Sequence, residues 1–159
     1  MVEAPSIVVR PLTDADRRAI STWHYPGELA IYDPGAGAFD LHPPDHVALA
    51  SENGELLGYG TLGQEAQVPG GLYDGDAVVD VGLGLHPDRI GSGHGRTALS
   101  SLLAHAAEHL DARRFRATVA SSNARATAFV LGAGFVPTHH FVRADGRAFT
   151  QYERPTDSE

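Results

Sequence analysis

The sequence has 159 residues and a mass of 16.8 kDa, the size of one domain with a single core. It contains no cysteine and no lysine, which excludes disulfides, cysteine nucleophiles, Schiff-base lysines and the lysine of a Walker phosphate loop. The net charge of −8 argues against binding to nucleic acids. Residues 1–11 lack the features of a signal peptide, and no apolar run approaches the ~20 residues of a membrane span. We therefore expect one cytoplasmic domain over residues 1–159, without a membrane or nucleic-acid partner.

The charges are unevenly distributed along the chain. Residues 86–130 carry six Arg and three acidic residues, whereas the rest of the chain carries six Arg and 17 acidic residues. Residues 28–80 hold ten acidic residues and no Arg. This distribution suits a protein that binds an anionic ligand at one place and a cationic ligand at another. Acidic residues that only keep a protein in solution would give the same count.

The sequence of the first half of the chain predicts a strand and a helix, followed by a hairpin of two further strands. Residues 6–10 are a β-branched run ending at Pro11, and a helix follows through residue 23, capped by Thr13 or Asp14. Residues 28–32 predict one further helical turn, and the Pro and Gly residues of 33–44 indicate an irregular loop. Residues 46–51 and 55–61 predict a hairpin, because Asn53-Gly54 supplies the positive φ angles of a tight turn.

The second half predicts a strand–helix–strand crossover followed by a helix and a hairpin. Residues 77–85 read as a strand with Asp80, Gly82 and Gly84 on one face. Residues 115–120 read as a strand, 123–131 as a helix, and 135–143 with 147–153 as a hairpin. Between them, residues 95–110 read as an amphipathic helix whose apolar stripe comprises Leu99, Leu102, Leu103, Ala106 and Leu110. The fold class is therefore α/β with a mixed sheet.

A glycine-rich turn lies between the strand at 77–85 and the helix that follows it. Gly91, Gly93 and Gly95 alternate with Ser92 and His94. Alternating glycines let backbone N–H groups converge on one point, and a helix N-terminus adds partial positive charge there. Such a site suits a pyrophosphate without lysine or metal. A tight connection that binds nothing would show the same pattern.

These segments resemble the GNAT superfamily of acetyl-CoA-dependent N-acetyltransferases. Residues 90–95, IGSGHG, are similar to the acyl-CoA pattern Q/R-x-x-G-x-G/A, with Ile90 in place of the Gln or Arg. The segment NARATAFVLGAGF at residues 123–135 is similar to N-x-x-A-x-x-L-Y-E-K-x-G-F, with Val130 in place of the Tyr. The resemblance implies the GNAT fold, a mostly antiparallel sheet with one parallel crossover.

The resemblance also implies acetyl-CoA as the cosubstrate of an N-acetyltransferase, with no metal. The pantetheine arm would pair with the edge of residues 83–85, where Gly82 and Gly84 leave room for close approach. A primary amine would then attack the thioester directly. The implied acetyl-CoA contacts are Leu83, Leu85, Gly91, Ser92, Gly93, His94, Gly95, Arg96, Asn123 and Phe129.

The groups that would move protons are less well defined. Asp80 is the candidate base, on the glycine-lined face of its strand, with a solvent-facing strand carboxylate as the alternative. In many family members a Tyr at the position of Val130 reprotonates the departing thiolate. Here Ser92, Ser122 or water is left for that role, or the thiolate leaves unassisted.

The acceptor side is implied by the early helical region. Trp23, Tyr25 and Tyr32 resemble the family's acceptor wall, although ordinary core packing would also explain them. His139 and Tyr152 of the last hairpin are further candidates. The acidic segment 28–80 favours a cationic acceptor, such as a polyamine-like metabolite or a peptide N-terminus.

Two other functions fit parts of the sequence. His105, Glu108 and His109 form an HxxEH string, the pattern of inverted zinc proteases, which would make the protein a zinc hydrolase. We expect no metal there, because the three residues lie on the solvated side of their helix and no third ligand is evident. The other alternative is a catalytically inactive acyl-CoA sensor on the same fold. A homodimer is left open.

Overall fold

The computed structural model describes residues 6–156 of the chain. Residues 1–5 and 157–159 lie outside that range, so the expectation that residues 1–11 are not a signal peptide falls partly on residues that are not described. Four short 3-10 helices cover Gly27–Tyr32, Gly35–Asp40, Gly63–Ala66 and Pro87–Arg89. The strands and α-helices follow in the order β1 (Ile7–Arg10), α1 (Asp14–Ser21), β2 (His46–Ser51), β3 (Leu56–Leu62), β4 (Val78–Leu85), α2 (His94–Leu110), β5 (Arg114–Ala120), α3 (Ala124–Gly132), β6 (Val136–Val142) and β7 (Ala148–Pro155). In this range, no helix is long and apolar enough to span a bilayer.

The strands form a mixed sheet in the order β1-β2-β3-β4-β5-β7-β6. β1 and β2 pair antiparallel, as do β5 with β7 and β6 with β7. β4 and β5 pair in parallel, with Val78 opposite Arg114 and Asp80 opposite Arg116. Parallel neighbours need a long connection, which here contains α2. The predicted α/β fold with one parallel crossover is confirmed.

Contacts divide the chain into two compact units. Among the described residues, the first comprises 6–60 together with Leu83–Leu102, and the second comprises Thr61–Gly82 together with 103–156. β3, β4 and α2 therefore each contribute residues to both units.

The first unit has an apolar cluster beneath α1. The cluster comprises Leu12, Ile20, Trp23, Ala38 and Ala48, and Leu41, Leu56 and Tyr59 pack against it. Burial of each large side chain contributes roughly 1.5–3 kcal/mol. Thr13 is the N-cap of α1, because its hydroxyl accepts from the Asp16 amide at 3.1 Å while Asp16 accepts from the Thr13 amide at 2.8 Å.

The core of the second unit is aromatic. Phe115, Phe135, Phe149 and Tyr152 are all buried on β5, β7 and the chain entering β6. The β6–β7 hairpin turns at Gly146, whose φ of +87° requires the freedom of glycine. The predicted turn at Asp145-Gly146 is therefore confirmed.

Three details differ from the sequence-based expectation. α1 ends at Ser21 instead of residue 23, since the Thr22 amide turns back to the Ala19 carbonyl. The expected irregular loop over 33–44 contains the 3-10 helix Gly35–Asp40. Four of the five residues of the predicted apolar stripe on α2 are buried, and so is Ala98, which the prediction did not include. The fifth, Leu110, is 47% exposed because α2 ends there.

Candidate active site

The glycine-rich turn has the backbone conformation of an anion-binding loop. Gly91 and Gly93 have φ angles of +79° and +88°, in the left-handed region that favours glycine. No atom lies within 4 Å of the position that a Cβ of Gly93 would occupy, so the space beside it is open. α2 begins at His94, one residue earlier than the sequence predicts, and runs for 17 residues.

Most amides of this turn form no hydrogen bond within residues 6–156. The Ser92 amide donates to the Arg89 carbonyl at 3.3 Å, and the Ser92 hydroxyl donates to the same carbonyl at 2.6 Å. Ser92 Oγ also lies 2.5 Å from His94 Nδ1. Within residues 6–156, the amides of Gly91, Gly93, His94 and Gly95 have no hydrogen-bond partner. Unpaired amides at the N-terminus of a long helix attract a negatively charged group.

The end of β4 lies beside this turn in the chain and belongs to the same unit. In the first unit, residues 83–85 have a strand neighbour, β3, on one side only. The Tyr25 hydroxyl donates to the Leu85 carbonyl at 2.6 Å, and the His86 amide donates to the Leu57 carbonyl at 2.9 Å. A carbonyl oxygen has two lone pairs, so Leu85 keeps one acceptor position.

The space above Gly84 is occupied, contrary to the expectation that it leaves room for the cosubstrate. A Cβ at Gly84 would lie 2.5 Å from Cε1 and 2.9 Å from Oη of Tyr59. Glycine at position 84 therefore serves the Tyr59 ring, which lies on the strand backbone. A Cβ at Gly82 would meet Thr61 at 3.6 Å, an ordinary contact.

Asp80 is buried in an ion pair in the second unit. Its side chain accepts from Arg116 Nε at 2.7 Å, from Arg116 Nη2 at 3.0 Å and from Gln67 Nε2 at 2.9 Å. The Arg116 guanidinium also lies 4.9 Å from the ring centre of Tyr73 and donates to the Asp74 carbonyl. At 3% exposure, Asp80 does not face solvent, so that alternative is wrong. Its role as base stays a prediction, and the three donors favour a structural role.

The aromatic residues of the early helical region divide into two groups. Trp23 and Tyr25 are 4% and 9% exposed, and Trp23 packs 5.1 Å from the His86 ring. Tyr32 is 37% exposed. Burial, followed by the neighbouring Tyr59 and Asp33, raises the pKa of Tyr25, which stays a neutral donor. Core packing accounts for Trp23 and Tyr25, and acceptor contact stays a prediction for all three.

Asn123 and Phe129 belong to the second unit. Asn123 is the N-cap of α3, because its Oδ1 accepts from the Ala126 amide at 3.1 Å. Phe129 is half-buried and Val130 is 7% exposed. Contact of Asn123 with acetyl-CoA stays a prediction, and its side-chain oxygen already satisfies an amide of α3.

The histidines of the HxxEH string interact with each other on α2. The rings of His105 and His109 stack with their centres 4.3 Å apart, and His109 Nδ1 lies 3.0 Å from the His105 carbonyl. Burial and the neighbouring His109 lower the pKa of His105. Between residues 6 and 156, no group of three or more His, Cys, Asp or Glu side chains is arranged to hold a metal ion.

Tyr59 is the residue of this region that the sequence analysis missed. Tyr59 belongs to β3, its ring packs 6.1 Å from the Trp23 ring, and its ring edge lies against Gly84 of β4. The available signal was Gly58-Tyr59-Gly60 inside a predicted strand. Glycine weakens a strand, so two glycines around an aromatic residue indicate a close backbone approach.

Comparison with known proteins agrees with this geometry. A model of the acetyltransferase (GNAT) family matches residues 12–135. An acetyltransferase of the GNAT family from Bacillus anthracis has 13% identity and a TM-score of 0.74, with 97% of each chain covered. The comparison with curated proteins found no match.

Two further solved structures share the fold. A chimera of the spermidine N-acetyltransferase SpeG from Vibrio cholerae and hSSAT has 17% identity and a TM-score of 0.70, covering 94% of this chain and 95% of the other. A protein proposed to be a phosphinothricin N-acetyltransferase has 18% identity and a TM-score of 0.69, covering 96% and 100%. At these identities the likeness concerns the fold.

Proposed function

Because the chain belongs to the GNAT family of acetyltransferases, we propose that it transfers the acetyl group of acetyl-CoA to a primary amine by direct attack on the thioester. The observation that carries the proposal is the turn at residues 91–95. Its unpaired amides and two left-handed glycines lie at the N-terminus of α2. Backbone amides and a helix dipole bind a pyrophosphate without lysine, which this chain lacks.

The open edge of β4 supports the placement of the pantetheine arm. Residues 83–85 have a strand on one side only within their unit, and an extended chain adds to such an edge through main-chain hydrogen bonds. The Leu83 and Leu85 backbones would supply those bonds, with Tyr25 already holding the Leu85 carbonyl. An amide of the same strand would donate to the thioester oxygen as it becomes negative.

We propose a cationic acceptor, either a polyamine-like small molecule or a peptide N-terminus. Two of the ten acidic residues in 28–80 are neutralised, since Glu55 pairs with Arg89 and Asp80 pairs with Arg116. Asp33 is held by hydrogen bonds from His24 and the Tyr25 amide. The exposed apolar residues Ile31, Tyr32 and Phe39 occur in the same two 3-10 helices as Glu28 and Asp40, which are exposed. Acidic residues beside apolar ones suit an amine with an aliphatic body. The spermidine N-acetyltransferases that share the fold agree with this choice.

The test of cosubstrate binding compares two glycines with the same backbone conformation. Gly93 and Gly146 have φ angles of +88° and +87°, and neither has an atom within 4 Å of its Cβ position. Gly93→Glu and Gly146→Glu therefore introduce the same charge and similar backbone strain, roughly 1–3 kcal/mol each. A carboxylate ~4 Å from a phosphate costs about 4 kcal/mol at an effective dielectric constant near 20, or about a thousandfold in affinity.

Calorimetry with acetyl-CoA distinguishes the outcomes. We expect Gly93→Glu to lose binding while Gly146→Glu binds like the wild type. Equal affinity in all three proteins would show that the pyrophosphate binds elsewhere. No binding to the wild type would refute the proposed function.

Turnover on a panel of amines, followed by the release of free thiol, tests the acceptor. Spermidine-like amines and basic peptides should be acetylated faster than acidic ones, and the reverse preference would contradict the assignment. The alternative of an inactive acyl-CoA sensor is favoured by Val130, which is buried and has no hydroxyl. Binding of acetyl-CoA without turnover of any amine would support the sensor.

A further inference from the structure

The side chain of Tyr59, a residue of β3, packs against the backbone of β4 at Gly84, within the proposed site. Its ring packs between Trp23, 6.1 Å away, and Gly84, whose missing Cβ makes room for the ring edge and the hydroxyl. The hydroxyl oxygen would be 2.9 Å from a Cβ of Gly84. It therefore lies directly above the part of β4 proposed to pair with the pantetheine arm.

The hydroxyl of Tyr59 has no hydrogen-bond partner among residues 6–156. The neighbouring Tyr25 contrasts with it, because that hydroxyl donates to the Leu85 carbonyl. Every fully buried side-chain nitrogen or oxygen in the described range has a partner, so the unpaired Tyr59 hydroxyl is accessible to solvent. Because the ring is held by packing, the hydroxyl has a defined position at the edge of the strand. It can donate a hydrogen bond to a ligand bound there without reorganisation.

The ionisation state of this hydroxyl suits a donor. Burial raises the pKa of Tyr59 above its usual value near 10. The group is therefore neutral at pH 7 and offers one O–H donor. Its pKa also exceeds that of a thiol, near 8.5, so it stabilises a thiolate by a hydrogen bond without giving up its proton.

We propose that the Tyr59 hydroxyl donates a hydrogen bond to the sulfur of acetyl-CoA as the carbon–sulfur bond breaks. This inference rests on the proposed function. In the step, the amine nitrogen forms a bond to the carbonyl carbon, and the electron pair of the breaking bond passes to sulfur. The amine loses one proton to solvent, and the coenzyme A thiolate later takes one from solvent. Tyr59 ends the step unchanged.

The geometry favours the sulfur over the carbonyl oxygen as the partner. Main-chain amides of β4 lie in the plane of the sheet and would donate to the oxygen, whereas the Tyr59 hydroxyl lies above the strand at Gly84 and would donate to the sulfur. Val130, buried on α3, supplies no donor. Tyr59 thereby gives the leaving group a donor that Val130 lacks.

The thiol of bound coenzyme A provides a test that needs no acceptor. Its ionisation is followed by thiolate absorbance in wild type, Tyr59→Phe and the control Tyr73→Phe, with desulfo-coenzyme A as the blank. A hydrogen bond to a charged group shifts the thiol pKa by about one to two units. We expect the bound thiol to be that much less acidic in Tyr59→Phe, and kcat on any accepted amine to fall about 10- to 100-fold. In Tyr73→Phe the thiol pKa should match the wild type, because that hydroxyl bonds the Val68 amide and the Thr118 hydroxyl.

The outcomes separate this inference from the proposed function. A bound thiol of equal pKa in wild type and Tyr59→Phe would overturn the role of Tyr59 and leave the acetyltransferase assignment intact. Failure of coenzyme A to bind the wild type would overturn both. Tyr59→Phe removes no hydrogen bond within the described residues, so its melting temperature should equal that of the wild type, which separates a functional loss from unfolding.

Discussion

The ion pair between Asp80 and Arg116 makes the sharpest prediction about stability. Both side chains are 4% exposed, and the carboxylate receives two hydrogen bonds from the guanidinium. Removing one partner of a buried pair leaves an uncompensated charge and costs about 3–5 kcal/mol. At this chain length, that corresponds to a melting temperature lower by about 6–20 °C. We therefore expect Asp80→Asn to be strongly destabilised.

The matched variants locate the cause. The pair Arg143–Asp145 is exposed, so Asp145→Asn should melt close to the wild type. Replacing Asp80 and Arg116 together by Leu and Met removes both charges, and we expect it to recover most of the loss. Thermal and urea unfolding measure all four proteins. A melting temperature of Asp80→Asn within about 2 °C of the wild type would refute this account of the pair.

The same variant tests Asp80 as a base. A structural carboxylate predicts that Asp80→Asn, assayed well below its melting temperature, keeps its kcat and the shape of its pH profile. A base predicts a loss of kcat in the folded protein. The three hydrogen bonds to Asp80 favour the first result.

Four further predictions follow from single contacts. Gly84→Ala should cost about 1–3 kcal/mol by displacing Tyr59, while Gly82→Ala should be nearly neutral in the same unfolding assay. Thr13→Ala should lower the unfolding free energy by about 1 kcal/mol through loss of the α1 cap. Hydrogen bonds from the Tyr25 amide and His24 lower the pKa of Asp33, so its contribution is present above pH ~4 and falls below it; the stability difference from Asp33→Asn should shrink there. Burial lowers the pKa of His105, so the unfolded chain binds the proton first and stability falls below pH ~6.5; His105→Gln should weaken that pH dependence of the unfolding free energy.

Elements whose signals are local could be predicted from the sequence. Gly54 and Gly146 adopt positive φ angles, although Asn53 and Asp145 before them do not, and each turn closes a hairpin as the sequence predicts. The cap at Thr13 and the crossover through α2 depend likewise on neighbouring residues. The turn at residues 91–95 belongs to this group, because alternating glycines before an amphipathic helix specify its backbone within one segment.

Contacts between distant residues could not be predicted in this way. Arg116 follows Asp80 by 36 residues, and their pairing depends on the parallel register of β4 and β5. An alternating pattern assigns one face of a strand to solvent, but a strand in a parallel pair is covered on both faces. The face of β4 that the sequence pattern assigned to solvent is therefore buried at two places. At Asp80 it carries an ion pair with Arg116, and at Gly84 its backbone is covered by the Tyr59 ring.

A count of charged residues likewise does not show which of them pair with distant residues. The pairs in the structure therefore decide which acidic residues could attract the acceptor. A count of ten acidic residues treats them as one surface, yet Glu55 and Asp80 already pair with Arg side chains. Charges that are paired contribute little to the field that an approaching cation meets. The attraction proposed for the acceptor therefore depends on exposed acidic residues such as Glu28 and Asp40. These two residues, rather than the composition of the segment, are where a change of sign should alter amine preference.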